Sequence, residues 1–176
     1  KFRSGRHEHF VRGNVAALGN SYAFVEPLES TALHMIIVQV TRLLRLLDGD
    51  RRGSSDHDPA EVNRRIAGHW DYLRWFLALH YRFNGRLDTP FWQHCRQHVD
   101  MSGLADTVAD FQQNGPFSGR GYQRPPDAIF GGGGLDILLL GQDVPTAGGR
   151  PSLDRETWNA LRSRRTEHLS AALSYR

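Results

Sequence analysis

Lysine is almost absent from this sequence. Of the 22 basic residues only Lys1 is a lysine, and all the others are arginines. Arginine stays charged at physiological pH and is a poor general base. Chemistry that needs a lysine amine inside the protein therefore cannot come from these 176 residues.

Cysteine and long apolar runs are scarce as well. Cys95 is the only cysteine, which excludes a disulfide framework and favours a reducing, cytoplasmic compartment. The apolar stretch Met35 to Val40, which Gln39 interrupts, is far too short to span a bilayer, and no signal peptide is recognised. A formal net charge of +3 does not indicate nucleic acid. We therefore expect neither a membrane nor a nucleic acid as partner.

What remains is the composition of one ordinary globular domain. Apolar residues make up 39% of the 176 residues and charged residues 23%, which is enough for a hydrophobic core. The sequence starts at Lys1 without a methionine, within what reads as a strand. We therefore expect it to be a fragment of a longer protein.

Periodicity predicts a small β portion followed by helices. Lys1 to Arg6 is a predicted strand, and Asn14 to Leu18 is a predicted short buried strand. Residues from about Thr31 to Asp48 are apolar almost all round, which predicts a helix buried on most sides. Further helices are predicted from Pro59 to about Asn84, from Asp88 to about His98, from Gly103 to Gln113, and from Ser152 or Asp154 to the C-terminus. The remaining segments are Pro116 to Gly134, a predicted structured loop, and Leu135 to Leu140, predicted as helix or strand.

Residues 26–31, Glu-Pro-Leu-Glu-Ser-Thr, place two carboxylates, a proline and two hydroxyls directly before the apolar helix. The first-turn N–H groups of a helix are unpaired and carry a partial positive charge, so such a start can hold an anion. Pro27 fixes the approach of the chain, and Glu29 is a candidate proton acceptor beside this site. The alternative is that Ser30 or Thr31 is only an N-cap and Glu29 only a favourable charge near the helix start.

The other motifs are weak. His94 and His98 lie four apart on a predicted helix with Cys95 nearby, but no third ligand stands at a fitting offset, so no metal site is predicted. The four glycines 131–134 lack the GxxxxGK[ST] pattern and predict a flexible bend. The aromatic residues expected in the core, rather than around a ligand, are Trp70, Trp75, Phe76, Phe91 and Trp92.

The segment GNSYAFVEPLESTALHMI, Gly19 to Ile36, resembles the signature of the flavin-dependent tryptophan halogenase family. Two shorter motifs follow in the order that this family has. DTPFW, Asp88 to Trp92, comes after a long helix that carries the pair His80-Tyr81, and LLLGQ spans Leu138 to Gln142. The resemblance covers the chain from about residue 1 to residue 145.

This resemblance implies a flavin-monooxygenase-like α/β box with a helical pyramid over it. The chain would be its C-terminal part, mainly α with a small β portion. Residues 1–30 would be the end of the FAD-binding module, with the last strands and the halide and catalytic loop, and residues 31–176 the helical substrate-binding subdomain. The G-x-G-x-x-G fingerprint, the W-x-W-x-I-P motif and the catalytic lysine of the family are absent. The N-terminal FAD-binding part is therefore expected to be missing, and this chain alone is expected to be inactive.

The resemblance also implies the chemistry. Reduced FAD from a separate flavin reductase, O₂ and chloride or bromide would halogenate an indole-like or phenolic aromatic substrate. By motif position, Glu29 matches the catalytic glutamate and Ser30 the serine that links flavin and lysine, while the backbone N–H groups of Thr31 and Ala32 match the halide site. The remaining matches are Gly19, Asn20, Pro27 and Leu33 on the side of the cofactor, and Phe130 and Leu135 on the side of the substrate.

Two other functions stay open at this point. One is another flavin-dependent monooxygenase, an epoxidase or hydroxylase, and the other is a non-catalytic helical interaction domain that inherited the motif. Leu135 stands where many members of the family carry a tryptophan, so tryptophan is not the default substrate. A homodimer is also left open.

Overall fold

The computed structural model describes residues 4–26, 28–48, 58–118, 120, 122–123, 126, 128–147 and 154–173, without the side chains of Glu29 and of 168–173. Helices dominate this part of the chain, as the sequence predicts. The helices are α1 (Thr31–Leu47), α2 (Pro59–Arg82), α3 (Pro90–His98), α4 (Ala105–Asn114), α5 (Gly132–Gly141) and α6 (Arg155–Leu173). The strands are β1 (Gly5–Arg6), β2 (Val11–Arg12), β3 (Val15–Ala16) and β4 (Ala23–Phe24).

The β portion consists of two antiparallel pairs. β1 pairs with β4, so that Gly5 lies opposite Phe24, and β2 pairs with β3, so that Val11 lies opposite Ala16. The strand predicted over residues 14–18 is shorter than expected and is not buried, because Val15 is 65% exposed. Residues 1–3 of the first predicted strand lie outside the described residues.

α2 is the central element of the fold. It begins where the sequence predicts, because Pro59 is its first residue and the Asp58 side chain accepts a hydrogen bond from the Ala60 N–H at 2.9 Å. One hydrophobic cluster joins α2 to the β portion and α1, through residues such as Ile66, Leu73 and Leu77. A second cluster joins it to α4 and α5, through residues such as Phe76 and Leu79. Both ends of the chain's core therefore pack on this one helix.

α1 has the predicted bounds but not the predicted burial. Thr31, Met35 and Gln39 are its buried residues, one turn apart along a single face. The opposite face carries an apolar stripe at steps of four and three residues, formed by Leu33, Ile37, Val40, Leu44 and Leu47, of which Ile37 is 65% exposed. The expectation of a helix buried on most sides is therefore wrong as far as the described residues go, because among them only one face of α1 is covered.

The later elements refine the prediction. The apolar stretch after residue 134 is a helix, and it begins at Gly132, so glycines expected to form a bend lie in the first turn of α5. Cys95 is buried on α3, which packs against α2. Among the described residues no helix is both long and apolar enough to cross a bilayer.

Candidate active site

A cavity of about 730 Å³ lies where α2, α3 and α5 meet. Its walls come from the C-terminal end of α2 and the residues that follow, from α3 through Trp92, and from one face of α5. Leu28 closes one side, and it belongs to a 3₁₀ turn, Leu28–Ser30, directly before α1. The cavity and the Glu-Pro-Leu-Glu-Ser-Thr segment are therefore adjacent.

Two aromatic pairs line this cavity. The Phe76 and Phe130 rings stack with their centroids 4.1 Å apart and their planes inclined by 25°. The Tyr81 and Trp92 rings stack at 5.7 Å and 21°. His80 also faces the cavity, and its ring meets the Phe76 ring edge-on at 5.3 Å. Walls of this kind accept a flat aromatic ring through stacking and edge contacts.

These aromatic residues were expected in the core, and the structure corrects this in part. Phe76 belongs to the second hydrophobic cluster and also lines the cavity. Trp92 is a cavity residue, and Phe91 beside it is 57% exposed, with its ring edge-on to the Trp92 ring at 5.1 Å. A sequence pattern shows that these residues are apolar, but it does not show which of them border an empty space.

Only one of the two residues matched to the substrate side lies at the cavity. Phe130 lines the cavity. Leu135 is fully buried in the core and does not reach the cavity, since the helical period of α5 turns Leu135 and Leu139 away while Gly134 and Leu138 face inward.

Polar anchors hold the walls of the cavity. Buried Asp136 on α5 accepts hydrogen bonds from the N–H groups of Phe117 and Ser118, at 2.7 and 2.8 Å, and one from the Ser118 hydroxyl at 2.6 Å. On the other side, the Arg96 guanidinium donates to the carbonyls of Asn84 and Leu87 at 2.9 and 2.8 Å. These bonds satisfy backbone groups that the irregular segments leave unpaired. The Asp136 bonds fix residues 117–118 to α5, and the Arg96 bonds fix to α3 the segment that includes the cavity residue Asn84.

The turn before α1 is strained. Ser30 adopts φ 51° and ψ 24°, the left-handed region, and its side chain makes no capping hydrogen bond. Such a conformation costs about 1–2 kcal/mol for a residue with a Cβ atom, and strain of this kind clusters at functional sites. The interpretation of Ser30 as a side-chain N-cap is therefore wrong. The hydroxyl of buried Thr31 instead donates to the Leu28 carbonyl at 3.2 Å.

The matched halide and cofactor residues lie around this turn. Thr31 and Ala32 are the first two residues of α1, which is the position that the anion argument requires. Leu33 is 64% exposed. Pro27 and the side chain of Glu29 lie outside the described residues. The catalytic role of Glu29 and the halide role of the two amides stay predictions.

Gly19 and Asn20 lie in a 3₁₀ turn, Gly19–Ser21, that packs against α1. Gly19 has φ +56°, and a Cβ atom there would lie 3.0 Å from Cγ1 of Ile36, so both the conformation and the contact favour glycine. Its N–H donates to Oε1 of buried Gln39 at 2.8 Å. Gly19 thus fixes α1 to the β portion, while Asn20 is exposed.

Sequence reasoning missed the partner of Glu26. The Tyr81 hydroxyl donates a hydrogen bond to Oε2 of Glu26. Burial, followed by this hydrogen bond, raises the pKa of Tyr81 to about 12, so the hydroxyl stays a donor up to a higher pH than in an ordinary tyrosine. The two residues are 55 positions apart, and only the occurrence of both in quoted motifs could have drawn attention to them.

No group of three or more His, Cys, Asp or Glu side chains is arranged to hold a metal among the residues that were searched, which are the described ones. The His94 and His98 rings stack on each other at 4.4 Å, and the His98 ring nitrogen Nδ1 lies 3.1 Å from the His94 carbonyl.

Comparison with known proteins identifies the family and similar solved structures. Residues 1–156 match the tryptophan halogenase family. The crystal structure of MibH, described as a lanthipeptide tryptophan 5-halogenase, is 45% identical with a TM-score of 0.73 and covers 90% of this chain and 31% of its own. BrvH, a flavin-dependent halogenase from Brevundimonas sp. BAL3, is 26% identical with a TM-score of 0.73 and covers 99% of this chain and 35% of its own.

Curated relatives give the same picture. Tryptophan 7-halogenase RebH from Lentzea aerocolonigenes is 34% identical over 108 residues, which are 61% of this chain and 20% of RebH. Tryptophan 6-halogenase SttH from Streptomyces toxytricini is 32% identical over 111 residues. The chain therefore spans about a fifth of these relatives and about a third of the solved structures.

Proposed function

The chain belongs to the tryptophan halogenase family, and on this premise we propose that it forms the substrate-binding part and the catalytic loop of a flavin-dependent halogenase. The reaction uses reduced FAD, O₂ and chloride or bromide, and its substrate is an indole-like or phenolic ring. One observation carries the proposal: the strained turn with Glu29 borders a cavity lined by stacked aromatic rings. A separate flavin reductase supplies the reduced cofactor, in the cytoplasm, and a homodimer stays an open alternative.

The cavity supports an indole on a larger molecule as the substrate. Its volume of about 730 Å³ lies in the range of roughly 300–1,000 Å³ that holds whole drug-sized ligands. Its aromatic walls suit the ring, and Asn84, Arg86 and Asp143 offer polar groups for what the ring is attached to. MibH is described as acting on the tryptophan of a lanthipeptide. A peptide that carries an indole is therefore our second candidate beside a free aromatic molecule.

The residues of this chain fit one edge of the cofactor only. Asn20 and Leu33 are exposed beside the turn, so a group from another part of the enzyme can reach them. The glycine-rich loop that would hold a pyrophosphate is not in the sequence. When bound, reduced FAD supplies with O₂ the oxidising power that turns halide into an electrophilic halogen. The lysine that the family places beside the substrate must also come from outside these residues, since Lys1 is the only one.

The chain's own residues then have the following roles. The N–H groups of Thr31 and Ala32, at the start of α1, hold the halide. The aromatic walls orient the ring and exclude water. The Glu29 carboxylate stabilises the positive charge that develops on the ring and takes the proton that the halogen replaces. Ser30 links the bound flavin to the lysine that another part of the enzyme supplies.

The apolar stripe of α1 supports the proposed division of the protein. We place the end of the FAD-binding module at residues 1–30 and the helical substrate-binding subdomain at residues 31–176. The stripe Leu33, Ile37, Val40, Leu44 and Leu47 then faces the FAD-binding part, which would bury it. On this proposal the present chain alone binds flavin weakly or not at all and does not halogenate.

Glu29→Gln in the full-length protein tests the function. The substitution keeps the size of the side chain and removes its charge. We expect halogenated product per flavin oxidised to fall about a hundredfold or more, the effect of losing a general base. Flavin oxidation by O₂ should continue, because that step does not use the carboxylate. The matched control is Glu156→Gln, on the exposed first turn of α6.

Three results would contradict the proposal. If Glu29 only stabilises the helix start, the substitution costs about half a kcal/mol of stability and leaves turnover nearly intact. If the wild-type protein makes an oxygenated product whether or not halide is present, the enzyme is another kind of flavin monooxygenase. A full-length protein that does not bind flavin would instead favour the interaction domain.

A further inference from the structure

We propose that Glu26 is a positioning residue, which acts through Tyr81 to hold the turn of Glu29 against the aromatic wall of the cavity. This inference rests on the proposed function. Glu26 itself does not line the cavity, whereas Tyr81 and Trp92 do. Its effect on the reaction is therefore indirect.

Tyr81 connects three elements beside the cavity, through one hydrogen bond and one stacked ring. Glu26 lies two positions before the turn Leu28–Ser30, and Tyr81 lies near the C-terminal end of α2. The Tyr81 hydroxyl donates to Oε2 of Glu26, and the Tyr81 ring stacks on Trp92 of α3. The turn is thereby tied to both helices that carry the aromatic wall.

The surroundings make this bond important for the loop. Oε1 of Glu26 is enclosed, and no hydrogen-bond partner for it occurs among the described residues. A buried carboxylate oxygen without a donor is costly, so Tyr81 is the group that keeps Glu26 in this place. Without the hydroxyl, we expect Glu26 to turn towards water and take the start of the turn with it.

The strained conformation of Ser30 explains why the turn needs the Glu26–Tyr81 hydrogen bond. A left-handed serine persists only when its neighbours hold it there. The Thr31–Leu28 hydrogen bond closes the turn from within, and the Glu26–Tyr81 bond fixes it to α2 from outside. Because a misplacement of about 1 Å can cost about a hundredfold in rate, a loosened turn would misplace both Glu29 and the amides of α1.

Tyr81→Phe and Glu26→Leu in the full-length protein test this role, with a flavin reductase and an indole substrate, because leucine offers no acceptor to the Tyr81 hydroxyl. Tyr81→Phe keeps the ring stacked on Trp92 and removes only the hydroxyl. The matched control is Tyr22→Phe, which removes the hydroxyl of a buried tyrosine that does not line the cavity. Halogenated product per flavin oxidised, binding of the indole, and deuterium exchange of the amides of residues 28–33 are measured for each.

We expect both variants to lower the product ratio about ten- to a hundredfold, with indole affinity changed less than about threefold. Exchange at residues 28–33 should become faster in both, and the double variant should be no worse than the worse single one, because one bond is lost in each case. Tyr22→Phe should change none of the three readouts. A hydrogen bond that only stabilises the fold would lower stability without changing the product ratio, and that result overturns the proposal.

The outcomes separate the two claims. A wild-type protein that oxidises flavin without halogenating overturns the proposed function, and with it the catalytic purpose of the tie. A wild-type protein that halogenates, with unchanged product ratio and unchanged exchange in both variants, overturns the positioning role alone. A Glu26→Ala change that behaves like the Tyr22→Phe control would do the same.

Discussion

The Tyr81 hydroxyl carries a pH dependence that can be measured. Burial, followed by the hydrogen bond to Glu26, raises the pKa of Tyr81 from 10.0 to about 12. The folded protein therefore keeps this proton at a pH at which the unfolded chain has lost it. The stabilisation is complete below about pH 10 and is lost as the pH rises through about 12.

We expect the free energy of unfolding to fall more steeply between pH 10 and 12 in the wild type than in Tyr81→Phe. Urea denaturation at a series of pH values measures the difference, in which the other tyrosines cancel. Glu26→Leu should give an intermediate slope, since it removes the hydrogen-bond acceptor of Tyr81 but not the burial. Parallel profiles of all three proteins would contradict the prediction.

Single residues show where the sequence is informative. The hydroxyls and carboxylates of residues 26–31 indicate a site because they are neighbours in the chain and precede an apolar helix. The partner of Glu26 could not be found in this way, because a hydrogen bond across 55 positions leaves no local pattern. Nor could the left-handed Ser30, which breaks the usual preference for glycine or asparagine.

At the scale of elements, the buried side chain of Gln39 helps to fix α1 to the β portion. Oε1 of Gln39 accepts the Gly19 N–H at 2.8 Å, and Gln39 has no exposed surface. Gln39→Ala leaves this N–H without a partner, and we expect a loss of about 1–3 kcal/mol in the free energy of unfolding. The control is Gln97→Ala on the exposed side of α3, with an expected change within about 0.5 kcal/mol. Equal losses in both would show that Gln39 does not fix α1 to the β portion.

The helices could be predicted better than their surroundings. α2 was found because Asp58 and Pro59 mark its start by their own chemistry. α1 was found because it is apolar, but its burial was wrong, since an all-round apolar pattern does not say which protein segment covers each face. The stretch after residue 134 is ambiguous because six residues, five of them apolar, fit a strand as well as a helix.

At the scale of the whole molecule, the apolar stripe of α1 should make the isolated chain associate. Leu33, Ile37, Val40, Leu44 and Leu47 follow one side of the helix, and Leu44 is 62% exposed. Exposed contiguous apolar surface of this kind drives association. We expect the wild-type chain to form oligomers or bind a hydrophobic dye, and Ile37→Lys with Leu44→Lys to reduce both.

Light scattering coupled to size-exclusion chromatography measures this association. The control is Leu161→Lys on α6, an exposed leucine away from the stripe. In the full-length protein the same pair of changes should instead lower stability, because the proposed FAD-binding part would have to accept two buried charges. A monomeric wild-type chain, or a full-length protein indifferent to the pair, would contradict the proposed division.

The buried thiol of Cys95 on α3 can report how often the wall of this cavity opens. Cys95 is the only cysteine and is 5% exposed, so a thiol reagent reaches it only when α3 moves away from α2. The labelling rate then counts openings of the wall that carries Trp92. No mutation or attached dye is required. A slower labelling rate with an aromatic molecule present would show that the occupied cavity opens less often.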